Sequence, residues 1–307
     1  MVIVVVAPGQ GSQTPGFLSP WLTEPAFADH LAALSDAAGL DLVRHGTESD
    51  ADTIRDTSVA QPLIVAAGLL TLNALLDGDR ATKIGGIAGH SVGEITAAAG
   101  AGVLTEPEAM RFVAERGRAM ADAASLVPTG MSAVLGGDEQ LLLARLAELH
   151  LEPANFNGGG QIVVAGALDA LEQLKAEPPA GSRVIPLQVA GAFHTRYMRP
   201  AVEHLAAVAA TLTPADPATT LWTNRDGSTV ASGAAFLELL VGQVSSPVRW
   251  DLCMAAFQAA AVTGIIELAP AGALVGLAKR GLKGVPTVAV KTPDDLPAAI
   301  ELIEQGA

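Results

Sequence analysis

One stretch of the sequence carries the residues and spacing of covalent catalysis: Gly89-His90-Ser91-Val92-Gly93-Glu94. In a Gly-x-Ser-x-Gly segment between a strand and a helix, the flanking glycines let the chain turn sharply enough to expose the serine hydroxyl. The helix that follows presents free main-chain N–H groups and the positive end of its dipole, both suited to an oxyanion. An isolated match fits an ordinary glycine-rich turn equally well, so the serine needs a base. Six histidines are available. His30, His45, His150 and His204 fall within or beside helical stretches of mixed polarity and read as surface or packing residues. His90 adjoins Ser91, and neighbours on a sharp turn normally point apart. His194 sits in the small-residue turn Gly191-Ala192-Phe193-His194-Thr195, a typical address for a catalytic loop residue. The acids between serine and histidine, Asp122, Asp138 and Asp169, fall at helix ends or in the middle segment, and none carries a signature. A triad, and a dyad whose histidine is oriented by a main-chain carbonyl, both stand as readings.

Exposing such a serine takes a strand ending beneath it and a helix beginning at it. Ile84–Ala88 supplies the strand and Glu94–Ala101 the helix. The run Val2–Val6 is a second strand, buried on both faces, leading into the glycine-rich turn Pro8-Gly9-Gln10-Gly11-Ser12-Gln13. Helices are expected at Ala26–Ala38, Ala60–Leu76 and Glu106–Ala123, the last capped by Thr105 with Pro107 in its first turn. This strand-turn-helix rhythm predicts a mainly parallel sheet. The middle differs. Strands at Met131–Leu135, Gln161–Ala165 and Arg183–Leu187 alternate with helices at Glu139–Leu149 and Asp169–Ala176, a β-α-β-α-β pattern that reads as a small inserted unit. After Pro200 the large unit resumes, with helices at Val202–Thr211 and Ala234–Val244 and a strand at Gly264–Leu268.

Composition bounds the function. With 307 residues, half of them hydrophobic, the chain buries one large α/β core or a core with an insertion. A net charge of −14 leaves no basic surplus for nucleic acid. The single cysteine, Cys253, excludes an internal disulfide framework and a Cys-rich zinc site, and a cytoplasmic protein is the simplest reading. No targeting segment is read at the N-terminus, and the apolar stretch Val59–Leu76, interrupted by Gln61, Pro62 and Asn73, reads as a buried helix instead of a membrane span.

Six segments in order and nearly end to end now give a resemblance: Pro8–Gln13, Gly89–Glu94, Glu115-Arg116-Gly117-Arg118, Asn155-Phe156-Asn157 with Gln161, Gly191–His194, and Gln243 ahead of Ser246-Pro247-Val248-Arg249-Trp250. Together they resemble the malonyl-CoA:acyl carrier protein transacylases and, more widely, the acyltransferase domains of polyketide synthases. The resemblance implies an α/β fold. An α/β-hydrolase-like large domain (1–125 and 195–307) would carry an inserted ferredoxin-like small domain (126–194), with the site in the gorge between them. It implies Ser91 as nucleophile, His194 as general base and acid, and the Gln10 and Val92 amides as oxyanion hole. Arg116 would hold the malonyl carboxylate, although its neighbours Arg111, Glu115 and Arg118 make a solvated helix face the ordinary reading. Gln243 would orient the histidine through its main-chain carbonyl. Gln161, Asn157 and Phe193 would line the substrate site, Phe193 filling the space a branching methyl needs.

The implied activity is transfer of malonyl from malonyl-CoA, through a serine ester, to the phosphopantetheine thiol of acyl carrier protein. The carrier would serve fatty acid or polyketide synthesis. No metal or redox cofactor is implied, and the expected enzyme is a monomer that binds neither nucleic acid nor membrane. Carriers are usually acidic, so docking is expected at basic residues: Arg183, Arg196 and Arg199, and the cluster Lys279, Arg280 and Lys283. A serine hydrolase and a carrier-binding module without turnover are the rival readings.

Overall fold

A computed structural model describes residues 2–306. The first apolar run becomes β1 (Ile3–Ala7), every residue of which is buried. Each such aliphatic side chain contributes about 1.5–3 kcal/mol by leaving water, and a strand covered on both faces needs no polar alternation. The chain then forms α1 (Pro25–Ala38), α2 (Leu42–Thr47) and α3 (Thr57–Leu76) before β2 (Gly86–Gly89) returns parallel to β1, pairing Ala7 with Gly89. Directly from β2 rises α4 (Gly93–Gly100), followed by α5 (Glu106–Ser125). Thr105 and Glu108 form a reciprocal capping box that fixes where α5 begins. By length and composition α3 could cross a bilayer, but most of it is buried, and it packs on α4 and α5 as a core helix.

From Thr129 the chain builds a second layer: β3 (Thr129–Gly136), α6 (Glu139–Glu148), β4 (Glu152–Gly158), β5 (Gln161–Ala167), α7 (Leu168–Ala176) and β6 (Ser182–Pro186). Their strands pair antiparallel in the order β6-β3-β5-β4. A separate apolar cluster that includes Val134, Leu142, Leu146, Val164 and Leu174 underlies them. The remainder comprises α8 (Arg199–Ala209), α9 (Gly233–Gln243), β7 (Val248–Arg249), α10 (Trp250–Ala259), β8 (Gly264–Glu267), α11 (Ala273–Gly281), β9 (Thr287–Ala289) and α12 (Leu296–Gly306). Strands β8 and β9 complete an all-parallel sheet in the order β2-β1-β8-β9. In contrast, β7 joins the second sheet, parallel to β4, with Asn155 opposite Val248. A mixed α/β protein results, with one parallel and one mixed sheet.

The middle segment departs from the expected pattern by one strand. Sequence alternation predicts three strands there, and the structure has four. Pro153 and two register shifts along β4 break the period-two pattern that would have marked it. Beyond Leu268 the sequence reading assigns no element, yet α11, β9 and α12 follow, and α11 reaches the site.

Candidate active site

Ser91 stands at the turn between β2 and α4 with φ of 53°, in the left-handed region that a non-glycine residue seldom adopts. Two close approaches force the glycines around it. A Cβ on Gly89 would lie 2.0 Å from the main-chain carbon of Gly93, and one on Gly93 would lie 2.2 Å from the carbonyl oxygen of Ala7. Asn224 locks the turn from beneath: its Oδ1 accepts from the Ser91 N–H at 2.7 Å, and its Nδ2 donates to the Gly89 carbonyl at 2.7 Å.

His194 meets this serine across 103 residues of sequence, its Nε2 lying 2.7 Å from Ser91 Oγ. Nδ1 lies 2.9 Å from the main-chain carbonyl of Gln243, which can only accept, so Nδ1 carries the proton and Nε2 has a free lone pair for the serine O–H. Among the described residues no carboxylate bonds this ring. Asp138 caps α6 and Asp169 bonds the N–H of Ala170. Burial lowers the His194 pKa to about 3, with the Arg116 charge as the next cause, so the ring is neutral at physiological pH.

Arg116 comes from the middle of α5 and is 1% exposed, so the solvated-face reading of its helix does not hold at this position. Its Nη1 donates to Gln61 Oε1 at 2.6 Å and its Nη2 to Gln243 Oε1 at 2.7 Å, with Ser91 Oγ 3.5 Å from Nη2. Burial lowers its pKa only to about 10, and the guanidinium stays charged. A buried cation with two neutral amide partners and, among the described residues, no ion-pair partner, aimed across a serine bonded to a histidine, is suited to an incoming carboxylate. Glu94, 1% exposed, lies on the far side of Gln243 and accepts from the N–H of Asn224 at 2.6 Å and from the side-chain NH2 of Gln243. Burial pushes its carboxyl up to about 8, against the pull of those donors and the Arg116 charge, which favour the ionised form.

The serine opens into a cavity of about 450 Å³ whose walls come from the turns that follow β1 and β2, from β3, β4 and β5 of the second sheet, and from α11. Gln10 and Val92 line it beside Ser91, and their main-chain N–H groups have no acceptor among the described residues. Phe193 forms part of the wall and is 6% exposed. Asn157 and Gln161 line the opposite side as a chain: His90 Nε2 lies 2.9 Å from Asn157 Oδ1, and Asn157 Nδ2 donates to Gln161 Oε1 at 3.0 Å. His90 thus points away from the serine. Of the nine site residues singled out from the sequence, seven line this gorge, and Arg116 and Gln243 lie beside Ser91, bonded to each other. Of the basic residues expected at a docking face, Arg280 reaches its wall, whereas Arg196 is paired with Glu152 and stacked on Tyr197. Sequence reasoning gave no role to Asn224, Gln61 or Glu94. Only the Glu of the Gly89–Glu94 segment carried any signal; the others act from 55 to 133 residues away in the chain.

The chain is similar to known proteins along nearly its whole length. The profile described as "Acyl transferase domain" matches residues 4–294. The malonyl CoA-acyl carrier protein transacylase of Mycobacterium tuberculosis (strain ATCC 25618 / H37Rv) is 55% identical over 299 residues, covering 96% of this chain and 98% of that protein. The crystal structure of MCAT from Mycobacterium tuberculosis superposes with a TM-score of 0.94 at 54% identity, over 98% of this chain and all of the other. A malonyl-transacylase solved in complex with its type II PKS acyl-carrier protein superposes with a TM-score of 0.90 at 30% identity, over 98% of this chain and 100% of that one. Likeness of this extent leaves one assignment: the chain belongs to the malonyl CoA-acyl carrier protein transacylase family.

Proposed function

We propose that this protein transfers a malonyl group from malonyl-CoA to the phosphopantetheine thiol of an acyl carrier protein, for fatty acid or polyketide synthesis. The observation that carries the reading is the meeting of three groups at one point: Ser91 Oγ, 2.7 Å from His194 Nε2 and 3.5 Å from the Arg116 guanidinium. Ser91 attacks the thioester carbonyl as its proton passes to His194, and the oxyanion accepts from the Gln10 and Val92 amides. The C–S bond then breaks and His194 returns the proton to the departing coenzyme A thiolate. The carrier thiol repeats the sequence on the malonyl-serine ester, giving a two-step exchange. Gln243 orients the base, Arg116 holds the malonyl carboxylate, and Gln161, Asn157 and Phe193 shape the acyl and pantetheine space.

We further read the parallel-sheet layer (1–125 and 195–307) as α/β-hydrolase-like and the segment 126–194 as a ferredoxin-like insertion. The β-α-β-β-α-β succession with strand order β6-β3-β5-β4 supports the latter. The exchange uses no cofactor, since acyl transfer between thioester and ester changes no oxidation state and coenzyme A arrives as part of the substrate. We take the enzyme to act as a cytoplasmic monomer, without nucleic acid or membrane. Its −14 charge speaks against the former, and Arg280 at the gorge wall offers a local cation to an acidic carrier. The test is incubation with radiolabelled malonyl-CoA, with and without carrier protein. Label on the enzyme that moves to carrier supports the reading, and Ser91→Ala abolishes it. Rapid release of free malonate, unaffected by carrier, refutes it in favour of a hydrolase.

A further inference from the structure

Between the Arg116 guanidinium and the nucleophile turn lies a bridge that the transfer mechanism does not use. The side-chain amide of Gln243 has two unlike ends. Its oxygen accepts from Arg116 Nη2 at 2.7 Å, and its NH2 donates to a Glu94 oxygen and to the Ser91 carbonyl at 3.2 Å. Turned over, the amide would set its NH2 against a guanidinium that only donates and its oxygen against two acceptors. The other Glu94 oxygen accepts from the Asn224 N–H, so both oxygens of this carboxyl face donors. Burial favours the protonated acid, but a donor faces each oxygen and a protonated carboxyl would set its O–H against one of them, so the geometry calls for the carboxylate. A first-turn carboxylate that merely complements its helix dipole would accept from the free N–H groups of α4, but the Glu94 oxygens accept from the Asn224 N–H and the Gln243 NH2 instead.

We propose that Glu94 is a positioning residue for substrate selection: its carboxylate holds the Gln243 amide in the one orientation that offers an oxygen to Arg116, and so keeps the guanidinium aimed across Ser91. The proposal rests on the reading of Arg116 as receptor of the malonyl carboxylate. Glu94→Gln conserves shape and removes the second acceptor. Whichever way the new amide turns, one donor faces a donor, either at Asn224 or at Gln243. The Gln243 amide then loses its fixed orientation, and Arg116 loses its anchor.

The experiment measures kcat/KM for malonyl-CoA and acetyl-CoA in wild type, Glu94→Gln, Arg116→Ala and the double variant, with thermal unfolding as a check of folding. The malonyl-to-acetyl ratio is expected to fall about 10- to 100-fold in Glu94→Gln, the equivalent of one hydrogen bond to a charged group. The double variant should match Arg116→Ala, because Glu94 acts through Arg116. A ratio that collapses in Arg116→Ala but is intact in Glu94→Gln overturns this proposal alone, as does a further fall in the double variant. A ratio unchanged in Arg116→Ala overturns the malonyl assignment of Arg116 and this proposal with it. If Glu94→Gln does not fold, Gln243→Leu removes the same bridge while keeping Glu94 and the main-chain carbonyl, and an unchanged ratio there is equally fatal.

Discussion

Replacing Arg116 by Ala separates recognition of the acyl group from its chemistry. The guanidinium is 1% exposed; Gln61 and Gln243 each take one of its donors and Nη2 also reaches Ser91 Oγ at 3.5 Å, so on the proposed reading the donors at the serine are those that meet the carboxylate. A malonyl carboxylate entering this water-poor cleft gives up its hydration for those bonds. Stranding such a charge costs about 3–5 kcal/mol, and each ~1.4 kcal/mol is a factor of ten. Arg116→Ala is therefore expected to lower kcat/KM for malonyl-CoA by about two to four decades. Acetyl-CoA has no carboxylate to strand, and its transfer should be unchanged or improved. Lys keeps the charge without the two-pronged geometry, so Arg116→Lys should fall between. The variant also leaves the Gln61 and Gln243 oxygens unpaired, each worth about 1–3 kcal/mol when buried, so the unfolding midpoint should drop even where acetyl transfer survives. Steady-state transfer with both thioesters decides the matter. If malonyl and acetyl transfer fall together in a folded variant, Arg116 is structural and the carboxylate is bound elsewhere.

Further expectations concern the base and the wall of the gorge. His194→Ala should slow acylation by about 10²–10⁴-fold with little change in coenzyme A binding. Asp122→Asn, Asp138→Asn and Asp169→Asn should have much smaller effects, and a large loss at any of the three would restore a triad. Phe193→Ser should raise methylmalonyl transfer relative to malonyl, by no more than the ~1–3 kcal/mol that one methyl is worth, and an unchanged ratio makes Phe193 a packing residue only. The pH profile should respond to charge beside the base. Arg116 lowers the His194 pKa, so removing that positive neighbour stabilises the imidazolium and raises it. The acid limb of kcat/KM for acetyl-CoA should then move to higher pH in Arg116→Ala, and a limb that stays or moves down refutes the coupling.

Legibility in the sequence followed the range over which each feature is encoded. The turn at Ser91 was readable because its glycines answer contacts made within the turn and with β1, and a local motif records them. The capping of α5 was readable for the same reason, through Thr105. His194 could be picked from six histidines by its small-residue setting, but its orienting partner came only through the family resemblance, since a main-chain carbonyl leaves no trace in residue type. Asn224 binds Ser91 from 133 positions away, in a Thr-Asn-Arg-Asp-Gly stretch that reads as an ordinary turn. Strand β4 was hidden because Pro153 and its bulges spoil the alternation, although those irregularities belong to the stretch that brings Asn157 to the gorge. The burial of Arg116 was equally invisible. Its neighbours in sequence are charged, and it is the packing of α5 among α1, α3 and α8, with Gln61 and Gln243 brought to the guanidinium, that buries this one arginine.

Gln243 gives its main-chain oxygen to His194 and its side-chain oxygen to Arg116, so one residue at the end of α9 serves both the base and the cation. Recognition and proton transfer are consequently not independent in this geometry. The buried imidazole is a weak base, its pKa lowered to about 3 by burial and by the Arg116 charge. On the proposed reading, a malonyl carboxylate on Arg116 would offset that charge without touching His194, and the imidazole would become a stronger base as the substrate is seated. An acyl group with no carboxylate meets the weaker base. Discrimination between malonyl and acetyl then arises in proton transfer as well as in binding, so it should be visible in kcat and not in KM alone.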